Sequence, residues 1–341
     1  MLAEILISPG HMELREVEMP KAGPGEIVLK VEAALTCGTD LKAFRRGHPK
    51  MPMPSLFGHE FSGTLVEVGP GVERFKVGDQ VMSVHSAPCN TCFYCKKGQQ
   101  NLCETVMDTK VLGAYAEYIK LPRHIVDQNA FIKPPNISFA EAAFLEPLSC
   151  VIYGLEQFHI KNDDTVAVIG AGPIGLLQVA ALKAYGVKKV ILAGRRKIRL
   201  DMGSDLGADD VIDVDRNDTL KSILAETAGR GADLVVECTG QPDVWESTLF
   251  MVRKGGNVLL FGGCPGGTHV SFDTGRLHYD EITLKGVFHF TPGAVRKAYE
   301  MLSSGKLNVK SLITAELPLK ELPRAFELLM EGEGIKYALI P

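Results

Sequence analysis

The sequence predicts an α/β protein in two parts, an all-β, barrel-like region followed by a doubly wound parallel sheet. Three observations carry this reading. Residues 1 to about 150 are rich in Gly, Pro and short apolar runs of period two. From 164 to 262 short apolar strands alternate with helical stretches. The first of those strands runs straight into a glycine-rich turn. A chain of 341 residues also suits about two domains.

The elements follow in order. Glu26–Glu32 and Gly63–Gly69 alternate apolar and polar residues, as half-buried strands do, and Gly-Pro-Gly at 69–71 and Val77-Gly-Asp79 punctuate them as turns. In the second part, strands are expected over 165–169, 189–193, 210–213, 233–237 and 257–261. Helices are expected near 173–185, 196–206, 217–228 and 243–253. Strands linked by helices imply parallel pairing. The last 55 residues read as amphipathic helices near 292–304 and 320–331, then a short strand.

Composition narrows the function. Net charge is −4, without a block of five like charges, which excludes a nucleic-acid protein held by bulk charge and argues against a membrane-surface protein. No apolar run reaches the ~18 residues that span a bilayer. Met1-Leu-Ala-Glu-Ile5 lacks a basic region ahead of an apolar core, so no signal peptide and a cytoplasmic location are expected.

Four of the eight cysteines, Cys89, Cys92, Cys95 and Cys103, fall within 15 residues, where even scatter would put about 0.35. Four soft thiolates on a short irregular lobe suit a closed, structural tetrahedral zinc better than two disulfides or an iron–sulfur cluster. Cys238 and Cys264 lie on apolar strand patterns and read as buried small hydrophobes.

Ile169-Gly-Ala-Gly-Pro-Ile-Gly175 follows an apolar strand and opens a helix, the context that a dinucleotide-binding turn requires. Gly170 permits the tight turn, Gly172 lets a pyrophosphate approach the backbone, and Gly175 lets helix and strand pack closely. Pro173 and Ile174 begin the helix whose N-terminus faces the anion. The segment Leu192-Ala-Gly-Arg-Arg-Lys197 has no carboxylate to bind a ribose 2′-hydroxyl, but it offers Arg195 and Arg196 to a 2′-phosphate. NADP(H) is therefore expected in preference to NAD(H).

These motifs come with Cys37-Gly-Thr-Asp40, Gly58-His-Glu-Phe-Ser-Gly63 and Glu146-Pro-Leu-Ser149. On that set the chain resembles, nearly end to end, the zinc-dependent medium-chain alcohol and polyol dehydrogenases. Its branch looks most like the sorbitol, polyol-phosphate and threonine dehydrogenases. The resemblance implies a GroES-like catalytic domain over 1–152 and 287–341 and a Rossmann domain over 153–286. It also implies two zinc ions per chain, one catalytic and one structural, and hydride transfer between NADP(H) and a secondary alcohol or polyol. A homo-oligomer, dimer or tetramer, is expected.

Cys37, His59, Glu60 and Glu146 offer a thiolate, an imidazole and carboxylates, and a catalytic zinc keeps one position for water or substrate. The resemblance makes Cys37, His59 and Glu60 direct ligands, with Glu146 ligating or holding the zinc-bound water. Zinc then acts as a Lewis acid on the alcohol oxygen. Thr39, two residues from a ligand, is expected to relay the proton toward the cofactor ribose. The polyol and threonine branches commonly carry histidine where this chain has Lys42, which weakens a threonine assignment. Lys42, Arg45, Arg46, His48 and Lys50 could instead hold a substrate phosphate, or form a solvated basic turn. A non-catalytic dinucleotide sensor on the same fold is the rival from another class, and the intact candidate zinc residues speak against it.

Overall fold

A computed structural model describes residues 1–47 and 51–341. His48 and Lys50 of the basic segment therefore lie outside the described residues. The chain forms two compact units, Met1–Cys150 with His289–Pro341, and Val151–Phe288.

In the first unit the strands Ile313–Pro318, Lys336–Ile340, Ile27–Leu35, Phe61–Val68, Gln80–Ser83 and Ala130–Ile132 pair in that order. Tyr118–Leu121 adds to Ile27–Leu35. A smaller sheet pairs Leu2–Ser8 with His11–Glu16 and with Ser55–Leu56. The terminal strand closes onto the early part of the chain, with Ala338 opposite Leu35 and Leu339 opposite Ala34. Leu6, Leu29, Phe57, Phe61, Tyr115 and Phe326 meet in one core. Full burial of each such Leu or Phe side chain contributes about 1.5–3 kcal/mol relative to exposure.

In the second unit the parallel strands run Asp210–Asp213, Lys189–Gly194, Thr165–Ile169, Ala232–Glu237, Val252–Leu260 and Thr283–Gly286 across the sheet. Numbered along the chain, that order is 3-2-1-4-5-6, the doubly wound dinucleotide-binding arrangement. Thr165–Ile169 is an inner strand whose consecutive apolar residues 166–169 are all buried, as in a parallel sheet covered on both faces. The fifth strand starts earlier than its apolar stretch suggests, because Val252 already pairs with Ala232 ahead of a register shift. Cys238 directly follows the fourth strand. Cys264 is not on a strand: it lies half-buried in the loop after the fifth.

The expected helix after the glycine turn is Pro173–Ala184, capped by Gly172 with Pro173 in its first turn, where its missing N–H costs nothing. Near the end of the chain, the expected 320–331 helix begins as a short 3₁₀ turn, Leu319–Glu321, before Leu322–Glu331.

Candidate active site

Local chain geometry places the first donors. Cys37 is the N-cap of helix Gly38–Arg46, and its Sγ accepts the Thr39 N–H at 3.4 Å. His59 and Glu60 immediately precede strand Phe61–Val68, and Glu146 lies in the first turn of helix Leu145–Leu155. His59, Glu60 and Glu146 are all buried, and one ligand atom from each lies within 4.8 Å of the others. Cys37, Asp40 and His59 form a second set at the same spacing. His59 belongs to both sets, so three widely separated chain segments, 37–40, 59–60 and 146, converge around one imidazole.

Asp40 is the residue that the motif reading passed over. It is fully buried, its Oδ1 lies 3.1 Å from His59 Nδ1, and its Oδ2 accepts the Tyr115 hydroxyl at 2.9 Å. A metal-binding histidine commonly gives one ring N–H to a carboxylate, which fixes the tautomer and aims the other nitrogen at the ion. Asp40 had a local signal, since it ends the Cys37-Gly-Thr-Asp40 motif; Tyr115 had none.

Lys336 was also unforeseen. It is buried on the terminal strand, donates to Thr36 O at 2.7 Å and to Glu60 Oε2, and so engages the carboxylate of an expected zinc ligand. Burial works against its charge, but Glu60 and Cys37 outweigh that and raise its pKa. Glu146 is pushed up to about 7, chiefly by burial, against the pull of His59. Burial also pushes the Cys37 thiol up, with Glu60 adding to it. For His59, burial disfavours the charged ring, but Asp40 and Cys37 overrule it and hold the pKa well above the imidazole range. Sulfur, imidazole and carboxylates crowded in a buried site are a donor set that suits a zinc ion, which would offset their mutual repulsion.

The remaining residues fall into place around this set. Cys150 Sγ lies 3.8 Å from Glu146 Oε1, as a hydrogen-bond donor one helical turn on. Thr39 is exposed on the first turn beside Cys37, and Lys42, Arg45 and Arg46 are exposed on the same helix. His85, just past strand Gln80–Ser83, is buried with Nδ1 3.5 Å from Glu146 Oε1. Its ring is 5.1 Å from that of His59 and 5.3 Å from that of His289, centre to centre.

The four-cysteine lobe is a separate site. The sulfurs of Cys89, Cys92, Cys95 and Cys103 lie within 4.8 Å of one another, and none of the eight cysteines is in a disulfide. Backbone N–H groups point at the sulfurs, Cys92 to Cys89 at 3.3 Å and Cys89 to Cys103 at 3.3 Å. The Thr91 hydroxyl and amide and the Cys92 amide draw the Cys89 pKa down to about 5, which favours a thiolate. Four sulfurs gathered this closely are consistent with a structural zinc.

In the second unit, Gly170 holds φ +115°, and a Cβ on Gly175 would stand 1.8 Å from Gly170 O, so both positions demand glycine. A Cβ on Gly172 meets nothing within 4 Å, which leaves space for a ligand over the helix N-terminus. Pro173 and Ile174 start that helix. Arg195 and Arg196 are exposed past strand Lys189–Gly194, and Arg195 Nε lies 3.1 Å from Asp215. An exposed pair of this kind contributes about 0–1 kcal/mol and would yield readily to a phosphate.

Known proteins match this architecture along its length. The model of the alcohol dehydrogenase GroES-like domain matches residues 23–129, and that of the zinc-binding dehydrogenases matches 173–304. Sorbitol dehydrogenase of Bacillus subtilis is 31% identical over 100% of this chain and 97% of its own. The chain belongs to the zinc-dependent medium-chain alcohol and polyol dehydrogenases. Within this family, L-threonine 3-dehydrogenase of Pyrococcus furiosus is 34% identical over 94% of the chain and 92% of its own. A zinc-binding dehydrogenase of Sinorhizobium meliloti 1021, solved bound to NADP, superposes with a TM-score of 0.90 at 29% identity, covering 100% of this chain and 99% of that one. The family assignment makes the chain an oxidoreductase with a GroES-like domain and a Rossmann-like parallel sheet.

Proposed function

We propose that this family member oxidises a polyol or secondary alcohol, or reduces the matching ketone, with a catalytic zinc held by Cys37, His59 and Glu60 or Glu146. The observation that carries the reading is the convergence of buried His59, Glu60, Glu146 and Asp40 with half-buried Cys37 in two donor sets that share His59. Bound zinc would supply Lewis acidity to the substrate oxygen, and bound nicotinamide a hydride acceptor.

The chain's own residues do the rest. Tyr115 donates to Asp40, and Asp40 accepts the His59 Nδ1 proton, so His59 is oriented with Nε2 free of that bond. Lys336 holds one Glu60 oxygen, which decides how much of that carboxylate is left for a metal. Thr39, exposed in the first turn of its helix, would take the hydroxyl proton of the substrate and pass it outward. Gly170, Gly172 and Gly175 shape the pyrophosphate cradle, with Pro173 and Ile174 opening its helix. Arg195 and Arg196 give the 2′-phosphate of NADP a guanidinium partner in preference to NAD. A second zinc in the Cys89, Cys92, Cys95 and Cys103 lobe, a homo-oligomeric assembly and a cytoplasmic place of action complete the reading.

The test is turnover. Purified protein is screened with NADP and NAD against sorbitol, xylitol, 2,3-butanediol, L-threonine and simple secondary alcohols. Reduction of NADP by a polyol, lost in Cys37→Ala, is expected. No turnover with any alcohol by zinc-loaded protein would overturn the reading.

A further inference from the structure

The fourth strand of the parallel sheet, Ala232–Glu237, ends on a carboxylate that the proposed chemistry leaves unused. Glu237 is fully buried, and it follows the buried apolar pair Val235 and Val236. Its partners are N–H and O–H donors rather than a cation. Oε1 accepts from Thr239 N at 2.6 Å, from Gly240 N at 3.1 Å and from the Thr239 hydroxyl, while Oε2 stands 3.2 Å from Gly240 N. Burial pushes its pKa up, and these donors pull it back. An apolar residue would continue the strand without the desolvation that a buried carboxylate costs. What the carboxylate adds is a fixed shape for the turn that follows.

That turn, Cys238–Gly240, is packed between two others. Cys238 N donates to Ile169 O at 2.8 Å, and a Cβ on Gly170 would stand 2.9 Å from the Thr239 methyl. On the other side, Phe261 N and Gly262 N donate to Glu237 O at 3.0 and 2.9 Å. A Cβ on Gly262 would come within 2.4 Å of Gly240 N and 2.8 Å of Glu237 Oε2. The Trp245 indole N–H donates to Gly262 O at 2.9 Å and holds this third turn from behind. The next position is open: a Cβ on Gly263, like one on Gly172, would meet nothing within 4 Å.

In a sheet of order 3-2-1-4-5-6, a dinucleotide lies across the carboxyl ends of the strands where the order reverses, between the first and the fourth. The first three strands form one mononucleotide half, to which Gly170, Gly172, Gly175, Arg195 and Arg196 belong. Glu237 and its turn begin the other half. Resting on the NADP(H) reading proposed above, we infer that Glu237 is a positioning residue for the nicotinamide mononucleotide half of the cofactor, holding the Thr239 turn against Gly170 so that this half meets a preformed edge. A turn ordered in advance spares the cofactor the entropy of ordering it on binding. Glu237 acts through Thr239 and Gly240, and the adenosine half does not depend on it.

The experiment is calorimetric titration with NADP and with adenosine 2′,5′-bisphosphate, which keeps the adenosine and its 2′-phosphate but lacks the nicotinamide nucleotide. The proteins are the wild type, Glu237→Leu, Glu237→Gln and Thr239→Val. Glu237→Leu leaves the Thr239 and Gly240 donors without an acceptor and should raise the Kd for NADP about tenfold or more. Its Kd for the bisphosphate should stay within about twofold of wild type, a split that general loss of structure would not produce. Glu237→Gln keeps an acceptor oxygen for Thr239 and should hold the NADP Kd within about threefold. Thr239→Val keeps a methyl against Gly170 and removes only the hydroxyl; it should raise the NADP Kd about three- to tenfold, and it decides the matter if Glu237→Leu does not fold. The inference is overturned by an unchanged NADP Kd in the deciding variant, by equal losses for the two ligands, or by a wild type that binds NADP but not the bisphosphate, since the halves would then not be separable. A wild type that binds neither ligand defeats the NADP(H) reading itself.

Discussion

Replacing Lys336 by Met tests the electrostatics of the site without touching a candidate ligand. The ammonium is 2% exposed and Glu60 1% exposed, so neither is screened by bulk water. Lys336 also donates to Thr36 O at 2.7 Å, and its charge faces Glu60, Cys37 and Glu146. Removing one partner of a buried ion pair leaves the other charge uncompensated, at about 3–5 kcal/mol. Metal-free Lys336→Met should therefore melt below the metal-free wild type by roughly 6–20 °C, taking about 2–4 °C per kcal/mol. Adding Glu60→Gln removes the stranded charge and should recover most of that loss. Zinc should recover part of it too, because a divalent cation can take over as counter-charge. The assay is a melting curve of the three proteins with and without zinc. A Lys336→Met protein that melts within about 2 °C of wild type without metal would show that Lys336 does not offset the Glu60 charge, as would a double variant less stable than the single one.

Three further outcomes follow from the same structure. Asp40→Asn keeps the shape but not the charge that orients His59, and should weaken zinc binding about 10–100-fold in a competitive chelator titration. Arg195→Ala should raise the NADP Michaelis constant about ten- to a hundredfold, the equivalent of about 1.5–3 kcal/mol, and leave that for NAD within about threefold. Glu4 is buried with Oε2 unpartnered, and burial raises its pKa from 4.5 to about 7. The native state therefore binds the proton more tightly than the unfolded chain, and stability falls as pH rises from 4.5 to 7. At full strength that difference is about 3 kcal/mol, and relaxation with nearby water leaves about 1–2 kcal/mol. Urea melts of Glu4→Gln should show this part of the pH dependence removed.

What could be read from the chain was what neighbouring residues encode. Thr165–Ile169 running into Gly170, Gly172 and Gly175 specifies strand, turn and helix within a dozen residues, because Gly170 and Gly175 answer local steric demands and Gly172 leaves the helix N-terminus uncovered. The cysteine lobe was legible for the same reason, with its four sulfurs close along the chain. Cys37, His59, Glu60 and Glu146 stood out through their motifs, whose meeting in space no local pattern encodes. The support around them was hidden. Tyr115 meets Asp40 across 75 residues, and Lys336 meets Glu60 across 276. A lysine in an apolar terminal strand reads as a solvated side chain unless the carboxylate facing it is known. His85 was invisible for a related reason, since a single histidine after an apolar strand has no spacing to mark it. Cys264 was misplaced because the apolar residues before it continue the strand pattern, while the strand itself ends at Leu260.

The proposed function requires two separate metal sites, only one of which carries the chemistry. Zinc per chain, measured by atomic absorption alongside alcohol-dependent NADP reduction, tests it in wild type, in Cys37→Ala/His59→Ala and in Cys92→Ala/Cys95→Ala. Two zinc ions in the wild type are expected. The Cys37/His59 variant should keep one zinc, stay folded and lose turnover, and the lobe variant should lose the other zinc and lose stability first. Full activity with less than one zinc per chain, or a Cys37/His59 variant that still carries two zinc ions and turns over, would rule out a catalytic zinc at Cys37 and His59.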